Sequence, residues 1–107
     1  MESNEVITAL SALAHPVRLQ VFRALIVAGD EGLLPGTMAQ ATDTPAATLS
    51  FHLKELLHAG LVTQQRHGRN LIYRARYAQM NALVAYLSAN CCEGGVCELE
   101  TPNPCEC

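Results

Sequence analysis

Residues 44–60 read TPAATLSFHLKELLHAG, and the fold is decided there. Thr44 offers a side-chain oxygen as a cap, and Pro45 brings a backbone angle already suited to a first helical turn. A helix is expected to start at this point, run to about Ala59 and stop at Gly60, which can adopt the conformation that ends helices. On a helical projection Leu49, Leu53, Leu56 and Leu57 fall in one arc and face a core. Ala47, Thr48, Phe51, Lys54, Glu55 and His58 point the other way, with Ser50 and His52 on the two flanks.

The segment just before is short and set off by Pro35-Gly36, and it predicts a small helix over Thr37–Ala41. Two short helices joined by a tight turn make a helix-turn-helix. Upstream, Val6, Ile7, Leu10, Leu13 and Ala14 recur at helical spacing. Pro16 opens a second helix that buries Val17, Val21, Phe22, Leu25 and Ile26 and stops at Gly29; Leu33 and Leu34 then return to the core. Downstream, Leu61–His67 and Asn70–Arg76 are rich in β-formers and flank Gly68-Arg69, so they form a hairpin. Helical spacing resumes from Tyr77 through Met80, Leu83, Val84 and Leu87 and fades near Asn90. The expected architecture is mainly α with a two-stranded β-hairpin: a winged helix-turn-helix, used as a homodimer. Residues 1–90 would form the DNA-binding and dimerisation domain and residues 91–107 a cysteine-rich tail.

The totals fit one domain. A chain of 107 residues supports one modest core. No apolar run approaches the ~20 residues that cross a bilayer. MESNEV lacks the basic-then-apolar pattern of a secretory signal. A cytoplasmic protein without a membrane partner is expected. The net charge of −3 argues against a polyanionic partner, but its distribution does not. Residues 1–44 hold two bases against five acids, and residues 77–107 hold four Glu and no base. Residues 45–76 carry Lys54, Arg66, Arg69, Arg74 and Arg76 against Glu55 alone. A local basic patch forms a footprint for phosphate whatever the total; a merely solvated basic hairpin is the plainer reading.

The outward face of the 46–59 helix suits double-stranded operator DNA. Ala47 and Thr48 are small enough to let the backbone approach base edges. Phe51 is wasteful on a plain surface and sensible against thymine methyl groups in a major groove. Ser50, His52 and Lys54 suit phosphate oxygens, which set register without reading sequence. Packing of Phe51 on a neighbour and a structural hydrogen bond from His52 are the alternatives. At the hairpin tip, Arg66, His67 and Arg69 can lie along the backbone or enter the minor groove. Arg74 and Arg76 serve either phosphate or the hairpin base. One subunit makes few phosphate contacts, and a dimer doubles them. Val6, Leu10, Met80, Leu83, Val84 and Leu87, on the first and last helices, are the expected dimer residues, with completion of the single-chain core as the alternative for each.

LAHPVRLQVFRAL (13–25), PAATLSFHLKELLHAGLV (45–62) and RHGRNLIYR (66–74) together resemble the ArsR/SmtB family of metalloregulatory repressors. The resemblance implies a homodimeric winged-helix repressor with a palindromic operator and ligand-induced release. Family members place their sensing sites differently. One arsenic site is a Cys-x-Cys near the first helix of the helix-turn-helix, where this chain has Met38-Ala39-Gln40-Ala41. A zinc site uses Asp and His on the last helix, and residues 77–90 contain neither. A redox or persulfide sensor pairs a cysteine in the second helix with one in the last, and residues 16–28 have none. The remaining likeness is to arsenic sensors with a vicinal cysteine pair and a nearby third cysteine after the dimer helix.

All five cysteines lie in the last 17 residues: Cys91, Cys92, Cys97, Cys105 and Cys107. A disulfide framework would spread them over the fold. Soft ions select thiolate sulfur, and As(III) or Sb(III) takes three thiolates in a pyramid. Cys91, Cys92 and Cys97 can converge because Gly94-Gly95 lets the chain fold back. Taken with the resemblance to such arsenic sensors, this implies As(III) or Sb(III) as the expected inducer, with no organic cofactor. Cys105 and Cys107 could add a second, weaker site. A tail that responds to oxidation, or that holds Cd, Pb or Zn through four thiolates, stays open, as does a metal-storage role. An enzyme is not expected: no strand–Gly-loop–helix phosphate site and no Cys–His or Ser–His arrangement is evident.

Overall fold

The computed structural model describes residues 1–89, so the five cysteines lie outside the described residues. Helix α1 spans Ser3–Leu13 and α2 spans Pro16–Ala28. The cap of α2 is His15, whose Nδ1 accepts from the Val17 amide at 3.2 Å. Pro16 sits at the first helical position, where its missing N–H costs nothing. Gly29, at φ 67°, ends the helix. A single 3-10 turn, Gly29–Glu31, follows.

Helix α3 spans Pro35–Ala41, two residues longer at its start than expected, because Pro35 itself opens the first turn. Helix α4 spans Ala46–His58. Its start corrects the expected cap. Pro45 is the extended residue before the helix, and Thr44 turns away. The Thr44 hydroxyl donates to the Thr42 carbonyl at 3.1 Å and lies 3.0 Å from the Thr42 hydroxyl. Asp43, in the left-handed region at φ 50°, makes the turn between α3 and α4 tight.

Strands β1, Val62–His67, and β2, Asn70–Ala75, pair antiparallel from Val62↔Ala75 to His67↔Asn70. That register leaves Gly68-Arg69 as a two-residue turn with Gly68 at φ 66°, a position where glycine avoids the Cβ clash. The wing is rooted at its far end. Leu33 and Tyr73 exchange two backbone hydrogen bonds, each 2.9 Å. Gly32 brings the chain so close that a Cβ there would lie 2.5 Å from the Tyr73 carbonyl oxygen. Helix α5 spans Tyr77–Leu87, ending short of Asn90. The Tyr77 hydroxyl donates to the Ile26 carbonyl at 2.9 Å and ties the start of α5 to the end of α2.

The core gathers one face of every helix: Val6 and Ala9 of α1, Val21, Phe22 and Leu25 of α2, Met38 of α3, Leu49, Leu53 and Leu56 of α4, and Leu83 of α5. Leu61, Val62, Tyr73 and Ala75 close it below the wing. Three expectations change. Leu34 is exposed, because it is the extended residue that leads into α3. Leu57, at the edge of the leucine arc, and Val17 and Ile26 of α2 are only half-buried. Val6 and Leu83, expected at a dimer face, are buried within the single chain, where α1 packs on α5. Among the described residues, no single helix is long and apolar enough to cross a membrane.

Candidate nucleic-acid interface

Helix α4 is held by Leu49, Leu53 and Leu56, each at most 1% exposed. That anchorage fixes what its other side presents. Ala47, Thr48, Ser50, Phe51 and Lys54 are all exposed. Phe51 is 54% exposed, so about half of the residue stays open to solvent and is not packed away on a neighbour. On one flank, Ala46 and Ser50 share a cavity with Leu71 and Tyr73 of β2, which places the wing beside that flank. At the wing tip Arg66, His67 and Arg69 are exposed. Arg69 and Asn70 line a groove with Gln40 and Thr44, so the tip stands near the turn between α3 and α4.

His52 is a correction. It is buried, at 5% exposure, and is withdrawn from the phosphate-facing set. Its Nδ1 accepts a hydrogen bond from Arg18 Nε at 3.0 Å, and its ring lies 4.5 Å from that of His15. Burial lowers its pKa from the ordinary histidine value, and the positive character of His15 and Arg18 lowers it further. The imidazole therefore serves as a neutral acceptor between α2 and α4. On a helical projection Ser50 and His52 look alike, as the two flanks; α2 covers one of them and leaves the other open.

Arg18 is the residue that sequence reasoning passed over. Its guanidinium carbon lies 5.6 Å from the centre of the Phe51 ring. The one signal was its place in the HPVRL stretch, which gives no direction for the side chain. Arg74 resolves to the hairpin base: its Nε donates to the Asp30 carbonyl at 2.6 Å and its Nη1 to Gln65 Oε1 at 2.7 Å. Arg76 is exposed, and its backbone N–H donates to the Leu61 carbonyl at 2.8 Å.

A second uncovered surface lies on α1 and α5. Leu10, Val84 and Leu87 of the expected dimer residues are 42%, 57% and 60% exposed, while Met80 is half-buried against the core. Ile7 and Tyr86 join the exposed set; neither was among the expected dimer residues. Among the described residues no group of three His, Cys, Asp or Glu side chains could hold a metal ion.

Comparison with known proteins places this arrangement. A helix-turn-helix domain family matches residues 13–65. The HTH-type transcriptional regulator YgaV of Escherichia coli (strain K12) is 30% identical over 78 residues, covering 73% of this chain and 77% of YgaV. The transcriptional repressor BigR from Xylella fastidiosa superposes with a TM-score of 0.64 at 31% identity, over 80% of this chain and 85% of BigR. The homodimeric winged helix-turn-helix DNA-binding domain of Mb0332 from Mycobacterium bovis, described as a possible ArsR-family regulator, gives a TM-score of 0.62 at 30% identity, over 86% and 85% of the two chains. With its wing, its exposed α4 face and these relatives, the chain belongs to the ArsR family of winged helix-turn-helix, DNA-binding transcriptional regulators and is not an enzyme.

Proposed function

We propose that this protein is a homodimeric repressor that grips an operator through α4 and the wing tip and releases it when As(III) or Sb(III) binds Cys91, Cys92 and Cys97. Ala47, Thr48 and Phe51 read the major groove; Ser50, Lys54, Arg66 and Arg69 meet the phosphates. The observation that carries the DNA reading is the exposed Phe51 among small and polar neighbours on a helix whose other side is locked in the core. Dimerisation through Leu10, Val84 and Leu87, with Ile7 and Tyr86, would set two α4 helices at a fixed spacing, as a two-fold operator requires.

The inducer reading rests on sulfur chemistry. Every thiol in the chain follows α5, beginning four residues after Leu87. Three thiolates suit a trivalent soft ion, and the first two of them follow α5 within five residues along the chain. Ion binding then needs to favour the DNA-free state by about 1–3 kcal/mol, a 5- to 150-fold loss of operator affinity. The test titrates reduced protein with arsenite against a duplex enriched by the protein from a random-sequence pool. Cys91→Ser, Cys92→Ser and Cys97→Ser are each expected to keep DNA binding and lose the response. Normal release by all three would refute the site. Release by oxidant and not by arsenite would assign the tail to redox sensing; release by Cd, Pb or Zn that also requires Cys105 or Cys107 would assign it to a four-thiolate site.

A further inference from the structure

Arg18 belongs to α2, outside the helix-turn-helix and the wing, yet its side chain reaches α4. Two contacts fix it there. Its Nε donates to the buried His52 Nδ1 at 3.0 Å, and its guanidinium lies 5.6 Å from the centre of the exposed Phe51 ring. The first contact uses the inner edge of the fork. The second keeps the cation beside the ring of a residue that is 54% exposed, and so near the surface. Arg18 itself is half-buried. Among the described residues the side-chain hydrogen bond of Arg18 is to His52, and it uses Nε, which leaves both Nη groups to offer to an acceptor. The acceptor at His52 is a neutral imidazole, so the guanidinium charge is not neutralised by that contact.

Its position matters as much as its charge. The wing lies along the Ser50 flank of α4, and Arg18 stands at Phe51, on the other side. A helix seated in a major groove has a phosphate backbone along each flank. The wing arginines serve one backbone, and the other needs a cation from a different element.

We propose that Arg18 is a phosphate-contacting residue of the operator interface, presented on the flank of α4 opposite the wing and positioned by His52 and Phe51. The proposal rests on α4 being the DNA-reading helix. It differs from a contact by Lys54 in being pre-organised: a planar fork clamped at one nitrogen loses less freedom on meeting a phosphate than a mobile lysine does. Glu55, half-buried on α4, lines the same groove as Arg18. A structural pairing with Glu55 is thus the competing role.

The experiment measures how affinity for the enriched duplex falls with salt. Each neutralised phosphate contributes about 0.9 to the slope of log affinity against log salt concentration. Arg18→Gln is expected to flatten the slope by about 2 for a dimer and to weaken enriched and scrambled duplexes by the same factor. His52→Asn, which keeps an acceptor near the Nδ1 position, should hold the wild-type slope. His52→Leu should move the slope toward that of Arg18→Gln. If Lys54→Gln flattens the slope and Arg18→Gln does not, Arg18 is structural and the proposal fails alone. If neither changes it, the α4 face is not the interface and both readings fall. Circular dichroism and sedimentation check each variant. Should Arg18→Gln not fold, phenylglyoxal modification of the wild-type protein decides. Protection of Arg18 by the duplex supports the contact. Equal reaction with and without duplex, or an Arg18 inert in the free protein, overturns it.

Discussion

The outer face of α4 and the outer faces of α1 and α5 are both left uncovered by this chain, and they differ in kind. On α4 the exposed set is Ala46, Ala47, Thr48, Ser50, Phe51, Lys54 and His58, one large apolar ring among small and polar groups. On α1 and α5 it is Ile7, Leu10, Val84, Tyr86 and Leu87, with large apolar groups side by side at three-residue spacing. The first can meet a polyanion without leaving greasy surface idle. The second gains by meeting another apolar surface. Exposure alone would have flagged both, and composition separates them.

Breaking that contrast on the apolar side should have the largest effect. Charging α5 with Val84→Asp and Leu87→Glu removes four apolar side chains from a two-fold interface, each contributing about 1.5–3 kcal/mol when buried. The dimer dissociation constant is expected to rise by at least about 1000-fold, read by sedimentation, and operator affinity should fall with it. A variant that stays dimeric would show that the α5 face is not the interface. On the α4 side the expected change is smaller and different. Phe51→Ala should cost about tenfold in preference for the enriched duplex over a scrambled one, within the 1–3 kcal/mol of a base contact. Its salt slope should not move. Loss of affinity without loss of preference would make Phe51 a packing residue.

A third test concerns the junction behind α4. The pKa of His52 is lowered in the folded protein by burial and by His15 and Arg18. Below the unfolded value, near 6.5, the unfolded chain binds a proton that the folded chain refuses. The contribution of this group to stability is therefore whole above that pH and declines as pH falls toward the folded value. Urea midpoints should fall between about pH 7.5 and pH 5.5, and His52→Asn should fall less over the same range. An equal fall in both would place the proton uptake elsewhere. The smallest effect is expected at the turn, where Asp43 occupies a left-handed conformation. Asp43→Gly should stabilise by up to about 1 kcal/mol by relieving that strain. It should also not weaken DNA binding, since it removes an acid from the turn beside α4.

The sequence by itself determined the order of elements, the leucine anchorage of α4 and the hairpin around Gly68, because each is set by spacing within a few residues. Periodicity gives an angle on a helix, and a two-residue turn gives a register; neither needs a distant partner. What lay across the chain was decided only by tertiary structure. Ser50 and His52 were equivalent flanks until α2 covered one of them, and Val6 and Leu83 were equal to Leu10 and Val84 until α1 met α5. Arg18 meets His52 across 34 positions and Arg74 meets Asp30 across 44. A long side chain has many rotamers on its own helix, and it is the packing of a second element against it that selects one.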